Sequence, residues 1–541
     1  MTHNFVPENA KIVSANKELD NLLRANRLSL RKPCMEGTRT AILQEVEKQI
    51  KNVDGPNVIW IRGSPGVGKS ALAASIVNRL REQDRHFISF RFDRTQSATI
   101  TTDALWCTVA LDLARLYPSV HQHILNIVRN NKVPDPSDID GRFKCLIELP
   151  LSTLNDVLRE ELPVIVIDAL DECGGLRHNS SGKDDYKDLL RMLKRWVQVD
   201  HLKRFKLVVT SRPEDHISRI FPETISFHIV VPSGSDVKLG DSASEDIGAF
   251  LKSRLNDMDM KPAWITEALD YLVPGAAGVF IWATTVTNFL EDGPEVRLHI
   301  LKSRKAREDI KGMDDLYLLY ATVVRMSFGQ ILEQEVQGVV SVMGAMIYAK
   351  QPLSDDVLMM LPGVKIGNSD VMRLIRKGLA SVIGSGNILH FHHKSFEDYL
   401  LSASFRQQLP ELSTVQDRSH HERQLAVLCL KTLVSPKLHF NMCNLDSSII
   451  KNVDIRADLR STIPPLVLYS SQFWADHLVH TRSDEPSDKK LKEVIKFVMD
   501  EKLLFWIETM SLSGKAYEVA LILKKILAWK VSLQVISLYY I

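Results

Sequence analysis

The sequence predicts an α/β fold: a mainly parallel sheet with helices on both faces, followed by a long helical region. Three observations predict it. Five short apolar runs recur between residues 58 and 230. Amphipathic stretches of helical length separate them, and such alternation builds βαβ crossovers that pair their strands in parallel. Beyond about residue 235 the strand signal nearly vanishes, while apolar residues keep helical spacing.

The elements follow in chain order. Residues 1–37 show little pattern beyond one short helical stretch, KELDNLLRANRL. A helix is expected from near Thr38, where Ile42, Leu43, Val46 and Ile50 recur on one face, and Asp54, Gly55 and Pro56 end it. The strands read VIWIRG (58–63), HFISFRF (86–92), PVIVIDAL (163–170), KLVVTSR (206–212) and TISFHIV (224–230). Between them lie ALAASIVNRL (71–80), ALWCTVALDLARLY (104–117) and YKDLLRMLKRWV (186–197) as helices. Residues 232–246 read as a linker and helix start. SVIGSGNILHFHH (381–393) reads as a small hairpin turning at residues 384–387, with a helix at KSFEDYLLSASF. Helices before a two-stranded wing suggest a winged helix. From about 419 to 530 the pattern is again helical. The last residues, VSLQVISLYYI (531–541), combine high β-propensity with no charge or proline, so they are expected to aggregate if left uncovered.

A chain of 541 residues is too long for one ordinary core. Hydrophobic residues at 45% and charged residues at 25% fit a globular protein. Lys and Arg number 68 against 66 Asp and Glu, so no overall basic excess points to nucleic acid. None of the six cysteines forms a CxxC pair, which leaves neither a zinc site nor a disulfide framework indicated and suggests reduced, mostly buried thiols. The N-terminus has no apolar signal core, and a cytosolic protein is expected. Tyr271 to Leu290 is uncharged and about the length of a membrane span. Pro274, Gly275, Gly278 and Asn288 interrupt it, so a buried helix after Gly278 explains it better.

Gly63, Ser64, Pro65, Gly66, Val67, Gly68, Lys69 and Ser70 fit the G-x-x-x-x-G-K-[ST] pattern. An apolar strand precedes it, and a helix opening at Ala71 follows. Glycines let the backbone curl round phosphate oxygens with its N–H groups pointing inward, and a helix N-terminus adds a favourable dipole. Lys69 is expected to reach the β- and γ-phosphates, and Ser70 to offer its hydroxyl to Mg²⁺. Asp168 emerges from the apolar strand PVIVID, where a carboxylate holds the hydrated metal. Asp171 and Glu172 follow, and either can orient or deprotonate an attacking water. KLVVTSRPE (206–214) ends a further strand in polar residues, so Thr210, Ser211 or Arg212 is expected to face the γ-phosphate, with Arg212 the candidate sensor.

The P-loop, VIDALDEC, VVTSRP, GVFIWATT (278–285) and FHHKSFEDYL (391–400), in that order, resemble the NACHT family, a branch of the signal-transducing P-loop ATPases with numerous domains. KPCMEGTRTAIL (32–43) and PLVLYSSQFWADHL (465–478) are similar to the NACHT proteins of fungi. The resemblance implies a nucleotide-binding domain (38–235), a small helical domain (236–312), a winged helix (313–410) and a second helical domain (411–541). It also implies that the TSRP strand lies between the strands carrying Lys69 and Asp168. ADP would hold such a switch closed, and exchange for ATP would permit opening and oligomerisation. Of the two wing histidines, His392 and His393, the family's F-x-H-x-S-F pattern selects His393 as a latch on the ADP β-phosphate. Relatives often carry an N-terminal effector and C-terminal WD repeats, and against that plan the chain reads as a member lacking the repeats, with a truncated C-terminal end.

The expected function is therefore an ATP/ADP–Mg²⁺ switch with slow hydrolysis, an intracellular receptor of the kind linked in fungi to non-self recognition and regulated cell death. ATP is favoured on the resemblance alone, since no guanine-reading motif is apparent and GTP is not excluded. Protein partners are expected. The competing reading is a scaffold that binds nucleotide without hydrolysing it. A metabolic P-loop kinase would need an acceptor pocket, of which the helical half gives no sign.

Overall fold

A computed structural model describes residues 19, 27–96, 99–130, 132–134, 138–174, 180–238, 240–307, 315–366, 369–384, 386–447, 450, 455, 462–481 and 488–539. Most of the N-terminal stretch KELDNLLRANRL lies outside them. The chain forms two compact units, Met1–Leu316 and Tyr317–Ile541.

In the first unit, helix α1 (Thr40–Lys51) leads into strand β1 (Val58–Gly63) and helix α2 (Lys69–Glu82). Strand β2 (Phe87–Arg91) follows, then helices α3 (Thr102–Leu116) and α4 (Pro118–Arg129). After strand β3 (Val164–Asp168) come helix α5 (Ser180–Trp196), strand β4 (Leu207–Ser211) and strand β5 (Ser226–Val231). All five strands pair in parallel, in the order β2-β3-β4-β1-β5. The TSRP strand β4 thus lies between the strands that end at the P-loop and at Asp168, as expected. Helix α4 and the short helices over 139–152 have no counterpart in the sequence reading.

Strand alternation divides the buried residues between two faces. Val58, Trp60, Ile165, Ile167, Leu207 and Val209 pack into one core with α3, α4 and α5. Ile59, Ile61, Val164, Val166 and Val208 pack into another with α1 and α2. A sheet buried on both faces must read as continuous apolar runs, which is why β3 and β4 carry no polar alternation.

Helices α6 (Ser242–Asn256), α7 (Pro262–Ala276), α8 (Phe280–Leu290) and α9 (Pro294–Arg307) complete this unit. The break between α7 and α8 falls at Ala277 (φ 43°) and Gly278 (φ 76°). A Cβ on Gly278 would stand 2.8 Å from Val237 Cγ2 and 3.1 Å from the Pro232 carbonyl oxygen, so the turn needs glycine for its φ and its close approach. That turn resolves the apolar segment 271–290 into parts of two helices. Among the described residues no helix is long and apolar enough to cross a membrane.

The second unit is helical. Helix α10 (Asp315–Phe328) spans the boundary, and α11 (Glu333–Tyr348) and α12 (Val371–Gly378) follow. The segment 381–393 turns back on itself as expected: Ile383 bridges Phe391, the Gly384 N–H donates to the His390 carbonyl (2.9 Å), and the His392 N–H donates to that of Val382 (2.8 Å). The helix expected at KSFEDYLLSASF is two, α13 (Lys394–Leu400) and α14 (Ala403–Gln408). Ser402 breaks it by accepting the Phe405 N–H at 3.2 Å, a hydroxyl cap that starts a new helix. Helices α15 (Arg418–Val434) and α16 (Pro465–Leu478) pack as the central pair of the remainder. Residues 531–539 continue the last helix, α17 (Val519–Tyr539), rather than forming the extended segment that their β-propensity favours. Helix propagates cheaply once nucleated, and ALILKKILAWK nucleates it. No described cysteine pair is bonded, and four of the six thiols are buried.

Candidate functional site

The loop from Gly63 to Ser70 joins β1 to α2, so the sheet's carboxyl edge and the amino terminus of α2 meet there. Gly66 (φ 80°) and Gly68 (φ 95°) hold left-handed backbone. A Cβ on Gly66 would lie 2.0 Å from Ile281 Cγ2, which excludes any side chain. Ser64 is exposed, Pro65 half-buried and Val67 buried, anchoring the loop from below. Lys69 Nζ donates to the carbonyls of Gly63 and Ser64, both at 2.8 Å, which places the ammonium over the mouth of the loop. Ala71 lies in the first turn of α2.

Asp168, fully buried at the end of β3, is held from one side only. Thr210 Oγ1 donates to its Oδ1 at 2.6 Å and accepts the Ala169 N–H at 2.9 Å. Ala169 itself takes a left-handed conformation, φ 58°. Burial raises the Asp168 pKa, and the nearby Thr210 and Ser70 hydroxyls pull it back. Its Oδ2 is buried with no hydrogen-bond partner. A carboxylate oxygen left without a donor in a dry site costs free energy, and a divalent cation with its waters relieves that cost. The donor set of Ser70 and Asp168, beside a loop shaped for phosphate, therefore fits Mg²⁺ bound to a nucleotide. Asp and Ser oxygens with retained water are what that hard cation takes.

The polar residues that end β4 and the arginine after it divide in their roles. Thr210 and Ser211 are completely buried; Thr210 serves Asp168, while Ser211 accepts from Trp60 Nε1 at 2.8 Å and donates to the Arg212 carbonyl. Arg212 is partly exposed and pairs with Asp171: its N–H donates to Oδ1 at 3.1 Å, and its Nε lies 3.3 Å from Oδ2. Glu172 accepts the Arg94 N–H at 3.2 Å.

His393 belongs to the second unit. Its Nδ1 accepts the Ser395 N–H at 3.1 Å and lies 2.8 Å from Ser395 Oγ, which in turn meets Tyr320 OH at 2.7 Å. It is thus the N-cap of α13.

Two arginines escaped sequence reasoning. Arg39 caps α1 in a left-handed conformation (φ 56°) with its side chain 3% exposed. Its Nη2 donates to the Val67 carbonyl in the P-loop at 3.1 Å and lies 3.5 Å from that of Gly278. The guanidinium lies over the Phe280 ring, 4.9 Å to its centroid, and 3.9 Å from Asp246 Oδ2. Burial pulls its pKa down, and Asp246 opposes that pull. With the Ile281 N–H donating to the Gly66 carbonyl at 3.0 Å, Arg39 fastens the P-loop to the start of α8. Its signal was an arginine immediately at a helix start, where positive charge opposes the macrodipole and so demands a reason. Arg91, paired in register with Asp168, is the second. Its pKa is lowered by burial and by neighbouring Arg31, against the attraction of Asp93, Asp168 and Glu172.

Residues 37–212 match the family model described as Nephrocystin 3, N-terminal. The vegetative incompatibility protein HET-E-1 of Podospora anserina is 25% identical over an alignment of 516 residues, covering 87% of this chain and 34% of that protein. The chain thus spans about a third of the length of this curated relative. Among solved structures, a signal transduction ATPase with numerous domains and a tetratricopeptide repeat sensor, from Pyrococcus horikoshii, aligns at a TM-score of 0.37 and 14% identity, covering 95% of this chain and 65% of that one. AMPPCP-bound DnaA from Aquifex aeolicus aligns at 0.26 and 14%, covering 76% and 98%. These superpositions are loose, and the P-loop assignment rests on the parallel sheet, the glycine loop and the family match.

Proposed function

We propose that this chain, a NACHT-type P-loop protein, is a nucleotide-dependent molecular switch that binds ATP or ADP with Mg²⁺ and turns ATP over slowly. The observation that carries the reading is Asp168: a buried carboxylate with one oxygen held by Thr210 and the other unpartnered, beside Ser70 and the glycine loop. In this reading the N–H groups of residues 63–70 cradle the phosphates, Lys69 turns from the loop carbonyls to the β- and γ-phosphates, and Ser70 and Asp168 hold the metal. When bound, Mg²⁺ supplies charge neutralisation at the phosphates. Arg212, held by Asp171, senses the γ-phosphate, which leaves Glu172 to orient water. Residues 38–235 form the nucleotide domain, and 236–312, 313–410 and 411–541 the helical, winged-helix and second helical domains. His393 then ties the winged helix to ADP. The fastening of the P-loop to α8 through Gly66 and Arg39 supports a switch, because a change in the loop is felt directly by a helix outside the sheet. The name of the Podospora relative, a vegetative incompatibility protein, supports a role in non-self recognition; protein partners and nucleotide-dependent oligomerisation belong to the same proposal.

Denaturing the purified protein and identifying the released nucleotide by mass spectrometry tests the reading. Stoichiometric ADP is expected; a protein that neither carries nor binds adenine nucleotide overturns it. One observation favours the alternative of a non-hydrolysing scaffold. Both acidic candidates are engaged, Asp171 by Arg212 and Glu172 by the Arg94 N–H. Hydrolysis that is measurable in the wild type and lost in Glu172→Gln decides for the switch; none in either decides for the scaffold.

A further inference from the structure

The segments that lead into four adjacent strands meet at the edge of the sheet opposite the P-loop. Lys51 ends α1 ahead of β1, Arg85 precedes β2, Arg159 precedes β3, and Lys203, Arg204 and Lys206 precede β4. Together they line a solvent-open cleft, where among the described lining residues Glu160 is the one acid. Six cations in one cleft are costly unless something compensates them, since like charges at close range repel and burial strips their hydration.

The compensation within the protein is mostly neutral. Lys206, 9% exposed, donates to the carbonyls of Asn52 (2.6 Å), Gly55 (3.4 Å) and Pro56 (2.9 Å). Arg204 donates to the carbonyls of Leu154 and Val157, and Arg159 to that of Val53 at 3.2 Å. Lys203 pairs with Asp200 at 3.0 Å, both well exposed. Carbonyl oxygens satisfy hydrogen bonds but leave net charge in place. Two lining residues also hold buried donors without an acceptor, Arg85 Nε and Asn57 Nδ2. The cleft is therefore short of negative charge and of hydrogen-bond acceptors at once.

We propose that this cleft is an anion site, separate from the P-loop, that takes a phosphate group, free or as the end of a small phosphomonoester. A tetrahedral oxyanion supplies both missing quantities, up to four acceptor oxygens and one to two negative charges, and guanidinium forks match its geometry. The state of Lys206 agrees: burial, then Arg159 and Arg85, bring its pKa down to about 8, against the weaker pull of Asp54. A bound anion reverses that repulsion, so anion binding near pH 8 takes up a proton.

The test uses the full chain carrying Lys69→Ala, so that the P-loop does not report. Inorganic phosphate and glycerol phosphate are titrated calorimetrically at pH 8 in two buffers of different ionisation enthalpy, with chloride at matched ionic strength as control. Saturable binding with proton uptake is expected. Adding Arg159→Glu and Lys203→Glu, both exposed and free of any core role, should weaken it by at least about tenfold. Tighter binding of inorganic phosphate identifies the free anion, and tighter binding of glycerol phosphate identifies a monoester. Heat no larger than with chloride, or affinity unchanged by the two reversals, overturns the site. A folded Lys69→Ala protein that still binds nucleotide would overturn the P-loop reading without touching this one.

Discussion

Thr210→Val removes one hydroxyl and almost no volume, so it separates polar support of the metal site from packing. In the wild type that hydroxyl donates to Asp168 Oδ1 at 2.6 Å and accepts the Ala169 N–H at 2.9 Å. A hydrogen bond to a charged group contributes about 1.5–3 kcal/mol, and a buried N–H left unpaired costs about 1–3 kcal/mol. The variant therefore loses several kcal/mol, read as a lower Tm. The functional effect is distinct. The Asp168 pKa is already raised by burial, and Thr210 is the first of the groups pulling it down. Without Thr210 it rises further, and protons compete better with the metal. The Mg²⁺ concentration that half-saturates nucleotide binding should rise at least about tenfold, equivalent to about 1.4 kcal/mol. Affinity in EDTA should change little. The defect should deepen as pH falls, because a raised carboxyl pKa means protonation begins at higher pH. Thr210→Ser, which keeps the hydroxyl, should restore the Mg²⁺ dependence. If Thr210→Val lowers Tm yet leaves that dependence as in wild type, the hydroxyl serves folding alone.

Lys69→Ala should weaken ATP–Mg²⁺ binding by at least about tenfold, since the two loop carbonyls that hold the ammonium cannot themselves contact phosphate; an unaltered Kd by calorimetry refutes the P-loop role. Arg39→Met should speed ADP release several-fold in stopped flow. Adding Asp246→Asn should recover Tm but not the release rate, because the ion pair is then neutralised while the Val67 carbonyl stays unheld; recovery of both would reduce Arg39 to an ion-pair partner. His393→Ala should release ADP faster and shift the protein to larger species on size exclusion, with His392→Ala inert; loss of Tm without either change would make His393 only the cap that its bond to Ser395 describes. Burial raises the Glu422 pKa, but the His477 hydrogen bond and Lys350 overcome that and bring it from the usual 4.5 to about 2. That shift is worth about 3 kcal/mol of stability, present above pH 4.5 and lost as pH falls towards 2. Glu422→Gln should therefore lower Tm at pH 7, keep part of that deficit at pH 3 and converge with wild type only near pH 2; a Tm difference that persists unchanged into acid refutes the assignment.

What the sequence made legible, and what it hid, divides along contact distance. The P-loop could be read because phosphate binding is done by consecutive backbone, so its glycines and lysine stand side by side. The strands could be read because a sheet covered on both faces needs uninterrupted β-branched runs. The order of β4 between β3 and β1 came from family likeness, since spacing alone is silent on which parallel neighbours pair. The support of these elements is long-range, and no local pattern records it. Thr210 meets Asp168 across 42 residues, and Arg39 reaches Gly278 across 239. The same holds for the buried chain of Tyr469, His477 and Glu422, joined at 2.8 and 2.6 Å, in which burial keeps His477 neutral so that its Nδ1–H donates to the carboxylate. Thr210 was left as one of three alternatives for this reason: a hydroxyl at a strand end faces either the ligand or the neighbouring strand, and only the register of β3 against β4 decides. The consequence is functional. A glycine loop alone explains how nucleotide binds, but a loop fastened to nothing would tell the rest of the chain nothing. Arg39 and the Ile281 N–H give the loop that second attachment, on a helix outside the sheet. A phosphate that reshapes residues 66–67 must therefore either strain α8 or move it, which is the least a switch requires.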